Sequence, residues 1–377
     1  MHERFRRLAA IFCAGTAAMM LVTGAGQAAE AGPATGAKFP VNLAAVSCPA
    51  SSWCMAVGSF TDRSFARHAL AQVWDAGSWR VLAPPPGQGL VGVSCSSAKF
   101  CVVTDQSGGL WQWQGSTWRR VASPAFAVTT PSCASRSLCM VINGMASSQS
   151  VDFPESWNGR NWHTWTSAGV CFGPPGLCAL NDVSCGSPTN CMAVGFTQFG
   201  ASNSTTKTAS VVWGGTRWTV QQLPSPGDPA WLDQVSCAPE FCLATGVGYS
   251  ASDNGYLPVA VQWNKKRGTT NDVAPDLGVL CSGFSAPCGS WTSAVSCGSS
   301  TTCMTMGVGG DQLWNGSNWL SAPTSPTGPG SRLDAISCHR SMCMSVGYRR
   351  LNNARHTLAE LWGDSGWHVI TTPTVRS

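Results

Sequence analysis

The stretch VSCPASSWCMAVG, Val46 to Gly58, restricts what this chain can fold into more than any other feature, because the sequence keeps returning to it. It recurs as VSCSSAKFCVVTD from Val93, PSCASRSLCMVIN from Pro131, VSCGSPTNCMAVG from Val183, VSCAPEFCLATG from Val235, VSCGSSTTCMTMG from Val295 and ISCHRSMCMSVG from Ile336. Seven copies at spacings of 38 to 60 residues make this a repeat protein. A second signature follows most copies: WDAGSW from Trp74, WQGSTW from Trp113, WNGRNW from Trp157, WGGTRW from Trp213, WNGSNW from Trp314 and WGDSGW from Trp362. The fifth copy, WNKKRGT from Trp263, has lost the second Trp. Four residues rich in Gly, Asn and Asp between β-formers are a hairpin signal.

Each copy holds four strand-like pieces, in the first Asn42–Ser47, Met55–Phe60, Ala69–Trp74 and Trp79–Leu82. Repeated seven times, they predict an all-β, seven-bladed β-propeller with four antiparallel strands per blade and one disulfide in each A–B hairpin loop. Connection lengths set the phase. A disulfide keeps its Cα atoms within roughly 7 Å, so the paired cysteines staple the hairpin from strand A to strand B. The Trp turn joins C to D. The segment after AVG shrinks to GVGGD (Gly307–Asp311) in the sixth copy, too short to cross a blade, and joins B to C. Only Pro-rich pieces such as APPPGQG (Ala83–Gly89) can run from an outer strand D to the next inner strand A. The ring then starts on strand A and ends on strand D, and blades 1 and 7 must close it by edge packing, without strand exchange. The expected layout is a signal peptide over 1–29, a flexible leader over 30–40 and a propeller over 41–377, with blades at about 41–85, 90–124, 127–168, 179–226, 230–276, 291–326 and 331–373.

The leader assignment rests on a basic run, His2–Arg7, an apolar run, Leu8–Val22, and small residues ending near Ala28 or Ala29. No other run approaches the ~20 apolar residues of a membrane span. The mature chain is therefore expected to be secreted and monomeric. Cysteine usage agrees: of 19 cysteines, setting Cys13 aside leaves 18, in nine close pairs. Seven are the repeat pairs Cys48/Cys54, Cys95/Cys101, Cys133/Cys139, Cys185/Cys191, Cys237/Cys242, Cys297/Cys303 and Cys338/Cys343, and two extra pairs are Cys171/Cys178 and Cys281/Cys288. In an exported chain this is a disulfide framework. A metal would need CxxC-type spacing or nearby histidines, and only His339 lies inside a Cys loop, so no metal or other cofactor is expected. The formal charge of +5 includes Arg4, Arg6 and Arg7, which leaves the mature chain near neutral and argues against nucleic acid as a partner.

Alternate loops of a propeller lie on opposite faces. The B–C and D–A segments share the face on which length varies most and both extra Cys pairs insert, and loop variation on a rigid scaffold is where binding resides. Two sectors stand out there. Arg349, Arg350, Arg355 and His356 of blade 7 meet Arg63, Arg67 and His68 of blade 1, either a patch for an anionic polymer or solvated loop charges partly paired with Asp62. Blades 4 to 6 supply Trp231, Tyr249, Tyr256, Phe196, Phe199, Trp291, Phe172 and Phe284, with Asp253, Asn254 and Asn203 among them. Aromatic faces beside amides and carboxylates suit sugar rings, and loop-anchoring hydrophobes are the plainer alternative. No GxSxG, HExxH, Walker or GxGxxG pattern stands in a suitable context. Of the glutamates Glu30, Glu155, Glu240 and Glu360, no two can be paired as a glycosidase requires.

The double signature, SC-x5-C-x-AVG followed by W-x4-W, resembles exported Cys/Trp-repeat propeller proteins of high-GC bacteria, over about Val41 to Pro373. The resemblance implies a secreted propeller and brings no catalytic residues with it. Kelch repeats would show a Gly-Gly pair and WD40 repeats Gly-His and Trp-Asp in each blade; the spacing fits both poorly. The expected function is extracellular binding of a glycan or a protein, with Trp231, Tyr249, Asp253, Asn254 and Tyr256 as the leading site and Arg63, Arg67, Arg349, Arg350 and Arg355 as the second. The rival is a propeller-type glycoside hydrolase or lyase acting over the central channel.

Overall fold

The computed structural model describes residues 40–121, 130–143, 153–165, 178–199, 205–225, 227–282, 292–307, 310–323, 330–352, 354–363 and 366–374, with backbone alone at 143, 153 and 199. The expected signal peptide and leader, and Cys171, Cys288, Phe172, Phe284, Trp291 and Asn203, lie outside the described residues. Within them the chain forms seven antiparallel sheets, each built from four consecutive strands in the order A-B-C-D. In blade 1 these are Val41–Ala50, Trp53–Thr61, Arg67–Asp75 and Ser78–Leu82. The seven-bladed all-β propeller and its phase stand as the sequence implies. Blade 5 carries one addition, the two-residue strand Cys281–Ser282, which returns to pair with Gly255 and Tyr256 at the open end of strand C.

The repeated signature is a set of packing instructions. Its two cysteines are disulfide-bonded in every blade, with Cα atoms 3.9–4.1 Å apart. Cys178 and Cys281 are also disulfide-bonded. The staples sit deeper than an expectation of loop cysteines suggests. The second cysteine of each pair lies in strand B, and in several blades it faces the first directly across the ladder, as Cys101 faces Cys95, Cys139 faces Cys133, Cys191 faces Cys185 and Cys242 faces Cys237. All seven of these second cysteines, Cys54, Cys101, Cys139, Cys191, Cys242, Cys303 and Cys343, have 0% exposure. The reason is their register: the tight turn leaves both cysteines on the same face of the A–B ladder, and that face packs against the neighbouring blade. The second cysteine of each pair is thus a core residue, and the disulfide is part of the packing between blades.

The second Cys of each pair also lies directly across from the first Trp of the Trp turn, as with Cys54 and Trp74 or Cys343 and Trp362. That Trp in turn faces its partner across the C–D hairpin, at ring distances of 5.1 Å in blade 2 and 5.4 Å in blade 7. Because strand residues alternate between faces, the CMAV run looks both ways. Cys54 and Ala56 pack toward blade 7, while Met55 and Val57 pack toward blade 2. The apolar core is accordingly one inter-blade cluster at each of the seven seams, with the Trp pairs within or against them, and an eighth cluster on blade 5 around Val247, Tyr256 and Ala260.

The serine before each first Cys has its own task. Its Oγ accepts a hydrogen bond from the N–H of the first Cys of the next blade. Cys95 bonds to Ser47 at 2.9 Å, Cys133 to Ser94 at 2.8 Å and Cys185 to Ser132 at 2.9 Å. Cys237 bonds to Ser184 at 2.9 Å, Cys297 to Ser236 at 2.8 Å and Cys338 to Ser296 at 2.8 Å. The circle is completed by Cys48 and Ser337 at 2.9 Å. Blades 7 and 1 thus close with the same bond as every other seam, plus an apolar cluster of Leu43, Val46, Leu70 and Trp74 against Met344, Val346 and Ala359. Among the described residues no strand is exchanged.

Candidate functional site

Strand A of each blade is innermost, so its residues wall the channel, and a bulge recurs near its start. The bulged residues include Asn181, Asp233 and Asp334. Beside Asn181, Asp182 keeps partial contact with solvent, and its oxygens accept the N–H groups of Val183 and Val235, both at 2.8 Å. Desolvation pushes this carboxyl up to about 7 against the pull of those two hydrogen bonds. Both oxygens are therefore occupied, Oδ1 by blade 4's own backbone and Oδ2 in joining blade 4 to blade 5. Glu155 and Glu360 are buried in strand C of blades 3 and 7, at 1% and 0% exposure, two residues before the first Trp of each blade. Neither opens onto a cavity described below.

The larger cleft, about 740 Å³, lies between blades 4 and 5 at the variable-loop end. Its blade 4 wall carries Lys207, Ser225, Gly227 and Asp228, and its blade 5 wall Tyr249, Ser250, Leu257 and Val259, with Asp272 and Asp276 on the segment leaving strand D. Lys207 Nζ lies 3.4 Å from Asp228 Oδ2, while Asp228 Oδ1 accepts the Thr206 N–H at 3.0 Å. Asp272 caps the Ala274 N–H at 3.1 Å. Gly227 lets the two walls meet: it has φ of +98°, and a Cβ there would stand 2.2 Å from the Tyr249 carbonyl oxygen.

The predicted aromatic sector does come together. Tyr256 contacts Trp231 at a ring distance of 5.5 Å and Tyr249 at 5.4 Å. Their roles differ from the expectation, however. Tyr256 is only 4% exposed and props the other two from below, and burial, then the neighbouring Tyr249, raises its phenol pKa. Trp231 and Tyr249 are half-buried, and only Tyr249 lines the cleft. Its hydroxyl donates to Asn254 Oδ1 at 3.0 Å, and Asp253 accepts from Ser250 and Ser252, so these two predicted polar residues shape the loop. Sequence reading missed Lys207, Asp228, Asp272 and Asp276, because a cleft between blades borrows its walls from segments far apart in the chain.

A second cleft, about 520 Å³, occupies the equivalent place between blades 7 and 1. Counted back from the first Trp, Leu257, Pro258 and Val259 correspond to His68, Ala69 and Leu70; Gly248 stands where blade 1 has Phe60, and Ala274-Pro275 where it has Ala83-Pro84. The linings are opposite in character: Pro84, Pro85, Pro86, Val81 and Phe60 replace the carboxylates. The matching dipeptides in DVAPDLG and VLAPPPGQG were the available signal for both clefts.

Within the predicted arginine sector, Arg67 is engaged by neighbouring polar side chains. It is held within its own blade, where its Nε and NH2 donate to Ser59 Oγ at 3.0 and 2.8 Å, and with the Gln106 amide turned to present its oxygen the guanidinium also donates to blade 2 at 2.8 Å. His68 pairs with Asp62 at 2.7 Å and stacks on Phe60. Asp62 is held well below the usual carboxylate range by hydrogen bonds from Ser64, then His68, then the Ala66 and Ser64 N–H groups. Blade 2 repeats this loop with Asp105, Ser107, Gly109 and Trp111 at the same offsets. Arg63 is exposed, and Arg349, Arg350 and Arg355 lie on the B–C hairpin of blade 7.

No known protein-family model matches this chain, and no curated protein matches it. Among solved structures it is similar to U3-55K, at 14% identity and TM-score 0.53, over 86% of this chain and 98% of that one. It is also similar to the WD40 β-propeller domain of Doa1, at 10% identity and TM-score 0.51, over 89% and 100%. A GH74 enzyme of Niastella koreensis matches at 13% identity and TM-score 0.50, over 88% of this chain but 59% of the enzyme. At such identities the likeness is one of fold: the class defined is a disulfide-stapled seven-bladed β-propeller. Its many disulfides suit an oxidising environment.

Proposed function

We propose that this chain is a secreted, non-catalytic binding propeller that holds an extracellular glycan in the cleft between blades 4 and 5. The observation that carries the reading is the lining of that cleft: one partly exposed tyrosine ring beside Lys207, Asp228, Asp272 and Asp276, on a rigid two-blade frame. A ring face and nearby carboxylates are what a pyranose with its hydroxyls needs. Three carboxylates against one ammonium disfavour a polyanionic chain and favour a neutral or amino-bearing one. A hydrolase or lyase over the channel has less support, since Asp182 is spent on backbone N–H groups and Glu155 and Glu360 are enclosed in blades.

A glycan array probed with the intact secreted chain, followed by titration of the best ligand, tests this. Tyr249→Ala should weaken binding about tenfold, taking stacking on nucleic-acid bases as the guide, and Asp276→Asn should weaken it measurably, both with unchanged unfolding temperature. Unaltered affinity in both variants would remove the site from this cleft. Cleavage of the bound glycan would reverse the non-catalytic reading.

A further inference from the structure

The B–C hairpin of blade 7 concentrates cationic charge at a structural cost. Its ladder sets Arg350 directly opposite Arg355 and Arg349 directly opposite His356, two consecutive basic rungs with no carboxylate in either. Like charges facing each other across strands are unfavourable. The nearby Asp334 accepts from Arg332 Nε at 2.7 Å and also attracts Arg355, one carboxylate shared between two guanidinium groups. Arg355 is fixed by stacking on Tyr348, with the guanidinium carbon 4.1 Å from the ring centre. Arg349 buries its Nε with no acceptor. On the adjoining blade 1 loop Arg63 is exposed, while the one carboxylate there, Asp62, is turned inward onto Ser64, Ala66 and His68.

The same corner carries two apolar side chains in solvent. Phe65, at the tip of the blade 1 loop with φ of 64°, is 73% exposed, and Leu351, at the tip of the blade 7 hairpin, is 44% exposed. Both tips belong to B–C connections of neighbouring blades and so share one face. The hairpin also overreaches its other neighbour. It runs eight residues beyond Cys343 to Leu351, whereas strand B of blade 6 stops four beyond Cys303, at Gly307.

We propose that this corner is a docking surface for an anionic lipid bilayer. Phe65 and Leu351 enter the headgroup region, and Arg63, Arg349, Arg350, Arg355 and His356 meet lipid phosphates. A convex, apolar-tipped, basic projection matches a flat, soft, negatively charged surface. A soluble polyanion would gain nothing from the exposed Phe and Leu. The proposal is independent of the glycan cleft, which lies between other blades.

Co-sedimentation of the intact secreted chain with phosphatidylglycerol/phosphatidylcholine vesicles, against pure phosphatidylcholine, tests it. Partitioning should favour the anionic vesicles at least tenfold and fall as salt rises. Phe65→Ser and Leu351→Ser should each weaken it several-fold, and Arg349→Gln with Arg350→Gln should weaken it tenfold or more and flatten the salt dependence. All variants are at exposed or half-exposed positions, and circular dichroism confirms their fold. Equal binding to neutral vesicles overturns the proposal. So does insensitivity to both apolar substitutions, or soluble polyphosphate competing as well as the anionic vesicles, since either outcome marks a plain polyanion patch.

Discussion

A serine hydroxyl decides how each blade meets the next, and aspartates add to it at the blade 4/5 seam, through Asp182, and at the blade 6/7 seam, where Asp311 accepts the Trp367 indole N–H at 3.1 Å. Replacing a bonded Ser Oγ leaves a shielded N–H without a partner, at a cost of about 1–3 kcal/mol, and the bond occurs seven times around the ring. At the blade 4/5 seam Asp182 takes a further N–H from Val235 while its own pKa is raised to about 7 from 3.8. The folded chain thus holds that proton more tightly than the unfolded chain does. Between the two values the folded state binds more protons, so the contribution of this group is full below about pH 4, declines as pH rises toward 7, and is level above. Chemical unfolding followed from pH 4 to pH 8 should show this decline in the wild type and lose it in Asp182→Asn. Parallel pH profiles of the two proteins would refute the assignment.

At the scale of one blade, the final glycine of AVG is explained by the bulge facing it. A Cβ on Gly58, Gly195, Gly246 or Gly347 would lie 1.9–2.0 Å from a backbone oxygen of strand A. Backbone cannot step aside cheaply, so Gly246→Ala should destabilise the ring by on the order of 3 kcal/mol. Gly214→Ala, whose Cβ meets nothing within 4 Å, should change little. Urea midpoints of the two variants check this, and equal midpoints would mean that the bulge yields. The blades were legible in sequence because the Cys signature is written seven times and connection lengths leave one phase. The cleft was only half legible. Tyr249 could be placed by loop parity, but burial of Tyr256 depends on how blade 5 folds its extra strand over strand C, and the carboxylates depend on which segments face each other across a seam. Arg67 was misplaced for a related reason: its position at the start of strand C sets it against Ser59 of its own blade's strand B and Gln106 of blade 2.

For the ring as a whole, the consequence is that the closing seam between blades 7 and 1 is built like the others. A propeller closed by strand exchange has one blade assembled from both ends of its sequence, and moving the ends breaks that blade. Here each sheet is a run of four consecutive strands. The blade 7/1 seam has the same two components as the others, a Ser–Cys hydrogen bond of 2.9 Å and an apolar cluster with a disulfide and a Trp. Each blade is stapled on its own, by a loop closure worth roughly 2 kcal/mol for a loop of this length, and takes no strand from the far end of the chain. A circular permutant should therefore fold as well as the parent. Thr374 would be joined to Pro40 by a seven-residue copy of the Ala83–Gly89 connection, and new ends opened after Pro86. Its calorimetric unfolding temperature is expected within a few degrees of the parent, with all seven signature disulfides recovered by non-reducing peptide mapping. A permutant that unfolds far lower, or that scrambles cysteines between blades, would show that the blade 7/1 seam contributes something the other six do not.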